Sequence, residues 1–61
     1  MEAYQKRVIA EKEELDTKIE KLKAFLDLHF ENSYEIGLLM RQFVFMTSYS
    51  NVLGVRIAAF K

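Results

Sequence analysis

The sequence predicts an all-α protein, a two-helix antiparallel hairpin that assembles into a helical homo-oligomer. Three observations lead there. Apolar residues recur at helical spacing over two long stretches, with no proline anywhere in the 61 residues. One short break, residues 29–33, separates the stretches. The second stretch carries more apolar surface than a single neighbouring helix covers.

The first helix is expected over about residues 2–28, a span without glycine or proline. Tyr4, Val8, Leu15, Ile19, Leu22 and either Phe25 or Leu26 share one face, and Val8, Leu15 and Leu22 share a heptad position. The remaining faces are charged. Glu2–Lys6 and Glu14–Lys18 are spaced as ion pairs in the favourable order, each contributing about 0.2–0.5 kcal/mol. At the break, Asn32 is the expected N-cap of the second helix, in a variant capping box with Glu35, and Ser33 is its rival. The second helix is expected over about residues 34–60. Seventeen of its 27 residues are apolar or aromatic, and its only charges are Glu35, Arg41 and Arg56. Apolar positions on most sides of a helix call for cover on most sides, so this helix belongs at the centre of an oligomer. Gly54, mid-helix, is disfavoured by about 1 kcal/mol against alanine. With Ala58 and Ala59 it would let another backbone approach.

Residues 1–61 form a single domain. A chain this short buries about 60% of its unfolded surface, and such domains lean on disulfides, a metal or association. There is no cysteine and one histidine, His29, so neither a disulfide nor a metal or other cofactor is expected. Nine basic residues balance nine acidic ones, unlike a DNA- or RNA-polymer binder. Residues 1–31 carry −2 and residues 32–61 carry +2, so the helices attract weakly. The charge density of residues 1–20 is unlike a secretory signal peptide, and the most apolar run, 36–46, is interrupted by Arg41 and Gln42, so no membrane partner is expected. These features fit a cytoplasmic protein.

The residues offer little for catalysis. There is no thiol nucleophile and no glycine-rich phosphate loop, and the carboxylates at Glu11, Glu13 and Glu14 read as a solvated face. Anion binding is better served. Arg41 and Arg56, duplicated about a symmetry axis, would present guanidinium pairs able to hold phosphate, or each would form a structural ion pair. Tyr4 would stack on a base, or staple the end of the hairpin. Lys18 and Lys21 add mobile ammonium groups.

Two blocks carry a family resemblance. The first helix runs Gln5-x-Arg7-Val8-Ile9-x-Glu11-Lys12-x-Glu14-Leu15-Asp16-x-Lys18-x-x-Lys21-Leu22-x-x-Phe25. The second runs Arg41-Gln42-x-x-x-Met46-x-x-Tyr49-Ser50-x-x-Leu53-Gly54-x-Arg56-Ile57-x-x-Phe60. Together they resemble the phage anti-CBASS cyclic-oligonucleotide sponges, relatives of the Thoeris anti-defence sponges. That resemblance implies a helical homohexamer in the host cytoplasm that sequesters cyclic di- or trinucleotide signals without cleaving them. It places base stacking on Tyr4, phosphate contact on Lys18 with Arg7 assisting, and a second, trinucleotide-type site on Arg41. Arg56 is a further nucleotide-binding candidate. The chain departs from the pattern in a shorter loop, little sequence before Tyr4, and no acidic residue near Val55. The alternative expectation is a helical module that docks on a host or phage protein through Phe43, Phe45 and Met46.

Overall fold

A computed structural model describes residues 1–29 and 31–61. Phe30, within the expected loop, lies outside the described residues. Two helices, α1 (Ala3–Leu28) and α2 (Tyr34–Ala58), lie against each other as a hairpin measuring 45 × 14 × 13 Å. The expected boundaries hold to within two residues. α2 stops earlier than expected, at a cap where the Ala59 N–H reaches the Val55, Arg56 and Ile57 carbonyls.

The caps explain where the helices begin. Glu2 stands at the head of α1, its N–H donating to Gln5 Oε1 at 2.8 Å. Ser33, not Asn32, caps α2: its Oγ accepts the Ile36 N–H at 3.2 Å. Glu35 then sits in the first turn, where a negative charge suits the helix dipole.

Two interlocking heptad rows meet between the helices. α1 contributes Gln5, Val8, Lys12, Leu15, Ile19, Leu22 and Leu26; α2 contributes Ile36, Leu39, Phe43, Met46, Ser50, Leu53 and Ile57, and Phe60 follows just beyond its end, all buried or half-buried. Leu26 therefore takes the inner position and Phe25 faces outward. The core is thin. Among the described residues only Val8 and Leu53 are buried apolar residues, and only Leu53 has no exposed surface. Tyr4 and Phe60 close the open end edge-on, with ring centroids 5.8 Å apart at 80°. At the other end Phe25 stacks on His29 at 4.0 Å.

One layer of this interface is polar. Lys12 Nζ donates to Asp16 Oδ2 at 2.8 Å and to Ser50 Oγ at 2.9 Å, and Ser50 donates in turn to Asp16 Oδ1. Gly54 makes room for this layer. A β-carbon there would lie 3.3 Å from Lys12 Cε, so the glycine admits a lysine stem rather than a second backbone. The intrahelical ion pairs also differ from those expected. Among the described residues they are Lys12–Asp16 and Lys23–Asp27, not Glu2–Lys6 or Glu14–Lys18. In both pairs the lysine meets the aspartate one turn further along α1.

Candidate functional site

The five expected ligand residues are all exposed and are spread along both helices. Tyr4 is half exposed and its ring abuts Phe60, which is the stapling arrangement. Arg7 and Lys18 are exposed on the outer side of α1, about 16 Å apart along the axis. Arg41 and Arg56 are exposed on the outer side of α2, about 22 Å apart. Neither arginine makes an ion pair among the described residues.

The feature that stands out is the uncovered apolar surface of α2. Because α1 covers one side only, Tyr34, Leu38, Phe45, Tyr49 and Val52 lie exposed along one flank, and Met40, Val44 and Val55 along another. Phe45 is 72% exposed and Val55 71%. Phe43 and Met46 turn inward instead, so the docking trio expected from the sequence is split, and only Phe45 of the three faces out.

The second flank has an acidic border. Asp27, paired with Lys23 at 3.1 Å, lines an open cleft of about 510 Å³ with that lysine and with Leu26, Met40, Phe43 and Val44. Glu13, Glu20 and Asp27 recur at heptad spacing on α1, all exposed, and continue this border. Asp16 lies on the same side. The ammonium of Lys12 and the hydroxyl of Ser50 hold its carboxyl below the ordinary value of 3.8. Glu31 is likewise lowered, first by its own backbone N–H and then by His29, whose Nδ1 lies 3.1 Å from its Oε1. The flank thus combines apolar surface with a row of carboxylates.

Sequence reading missed the inward-facing polar residues Gln5, Lys12 and Ser50. The signal available was their place in unbroken rows spaced alternately by three and four. Among the described residues, no group of side chains is arranged to hold a metal ion, and no helix is long and apolar enough to cross a membrane.

No curated protein and no solved structure matches the chain. The model of the Sequestin family matches residues 2–59, nearly the whole length. This match overturns the resemblance to the anti-CBASS sponges, and with it the cyclic di- or trinucleotide ligand and the role in blocking CBASS signalling. Charged and apolar blocks of this kind recur in any amphipathic helix that faces a partner, so they misdirect easily. A Sequestin is a non-catalytic binding protein. By the match over residues 2–59, the chain belongs to the Sequestin family.

Proposed function

We propose that this chain is a phage protein that sequesters a host protein in the host cytoplasm. It does so by docking the target on the Met40, Val44 and Val55 flank of α2. One observation carries the reading: a helix apolar on nearly all sides is covered on one side only. The acidic border formed by Glu13, Glu20 and Asp27 selects a complementary occupant, an amphipathic segment with basic residues beside its apolar stripe. The opposite flank supports self-association. The chain acts as a single 61-residue domain in a homo-oligomer, either a pair of copies or the six expected above, built from three pairs. Tyr4 closes the hairpin end, Arg7 and Lys18 keep the outer face of α1 charged, and Arg41 and Arg56 serve the self-contact.

Photo-crosslinking in host cells tests the docking. A benzoyl-phenylalanine at Val44 should yield one discrete covalent adduct with a host protein, and the same group at Lys21, on the outer face of α1, should not. Adding Met40→Glu should abolish the adduct. Equal yields at the two positions, or no adduct at Val44, would refute the assignment.

A further inference from the structure

The first flank of α2 carries a pattern of its own. Tyr34, Leu38, Arg41, Phe45, Tyr49, Val52 and Arg56 are all exposed, and at 100° per residue they fall within an arc of about 80°. The centre of that arc lies about 120° around the helix from the row facing α1. We infer that it is an isologous seam, on which a second copy of this chain lays its own α2 antiparallel with Phe45 on the two-fold axis. The inference deepens the homo-oligomer proposed above and rests on it.

Self-complementarity carries the argument. In an isologous contact, if residue i meets residue j of the other copy, then j meets i. With Phe45 opposite Phe45 of the partner subunit, Leu38 meets the partner's Val52, Arg41 meets the partner's Tyr49, and Tyr34 meets the partner's Arg56. Each aliphatic residue thereby faces an aliphatic one. Each guanidinium faces an aromatic ring, over which a cation is attracted. The two arginines have no carboxylate partner among the described residues, and the seam supplies what the single hairpin lacks. Register matters here. An axis between Ser48 and Tyr49 would instead set Arg41 against the partner's Arg56, like charge on like.

The exposed area agrees. The chain exposes 4970 Å². A compact monomer of 7.2 kDa is expected to expose about 4,100 Å². The surplus is close to the roughly 800 Å² that each partner contributes to a specific interface of standard size.

Cysteine scanning tests the seam on the purified 61-residue chain, which has no thiol of its own. Phe45→Cys, as the sole thiol and on the axis, should form a disulfide-linked dimer in high yield under mild oxidation, because a disulfide requires α-carbons within about 7 Å. Leu38→Cys alone and Val52→Cys alone should remain unlinked, whereas an equimolar mixture of the two should yield the mixed dimer. Native mass spectrometry of the wild-type chain should show an even number of copies, and Phe45→Glu should reduce it to the monomer while far-UV circular dichroism stays helical. A monomeric wild type would overturn the inference. So would an oligomer in which neither Phe45→Cys nor the Leu38→Cys and Val52→Cys mixture crosslinks. These measurements contain no host protein, so a failed seam and a failed capture in cells are separable results.

Discussion

Replacing Gly54 by alanine sets two effects of similar size against each other. In mid-helix, alanine is favoured over glycine by about 0.8–1.0 kcal/mol. The added methyl would lie 3.3 Å from Lys12 Cε, close enough that the stem must give way by a few tenths of an ångström. That stem is anchored, because its ammonium holds Asp16 at 2.8 Å and Ser50 at 2.9 Å. Lys12 keeps Asp16, one turn along its own helix, more easily than Ser50 across the interface. Weakening the Ser50 bond costs about 0.5–1.5 kcal/mol. The low end of that range applies, since the lysine side chain is 30% exposed. Gly54→Ala should therefore change stability by less than about 0.5 kcal/mol in the native background. In a Lys12→Ala background the obstacle is gone, and the same change should stabilise by about 1 kcal/mol. A double-mutant cycle should then report a coupling of about 0.5–1 kcal/mol. The assay is urea unfolding followed by far-UV circular dichroism at one fixed protein concentration, since association stabilises the folded chain. If alanine stabilises by the same amount in both backgrounds, Gly54 does not exist to admit Lys12.

Leu53→Ala, at a side chain with no exposed surface, should cost about 2–4 kcal/mol. A chain of 61 residues has about 3–9 kcal/mol in all, so urea titration should find a large fraction of its stability gone, and a loss below 1 kcal/mol would contradict the thin-core description. Ser33→Ala should destabilise by about 1 kcal/mol while Asn32→Ala is near neutral; the reverse order would restore Asn32 as the cap. Asp16 gives a pH dependence of known sign. Its folded carboxyl lies below the ordinary 3.8, so its contribution is complete above that value and is lost as the pH falls through the folded value. Acid titration of unfolding should show this loss, and Lys12→Met should flatten it; an unchanged slope would mean Lys12 is not the main cause.

The hairpin was legible because its two apolar periodicities are long and the break between them is short. Ends and faces followed from the same pattern, down to Val8, Leu15 and Leu22 on one row. What sequence could not resolve was which polar residues point inward. Lys12 and Ser50 have the composition of a solvent face, and only their heptad places, with a glycine opposite, mark them as interior. The two cap candidates differed by one residue, a distinction decided by a single hydroxyl. Function was the least legible. Arg41 and Tyr4 are chemically able to hold a nucleotide, but whether such groups converge is a matter of geometry, and here Tyr4 lies against Phe60 while Arg41 lies on the outer side of the other helix. Phe43 and Met46 were likewise indistinguishable from Phe45 by composition, although only Phe45 faces outward.

The polar layer has a consequence for how the chain can misfold. Long helices with regular apolar rows tend to slide past one another, since each heptad resembles the next. A slip of one heptad in this hairpin would bring Lys12 opposite Phe43 or Ile57, and Ser50 would leave Asp16. An ammonium would then be held against apolar surface without its cross-helix acceptor, a costly state that the native alignment avoids. Lys12, Ser50 and Gly54 thus act as a key cut into an otherwise repetitive edge, admitting one alignment of the two helices. A hairpin that leaves so much apolar surface exposed has particular need of an inner face that recognises only itself.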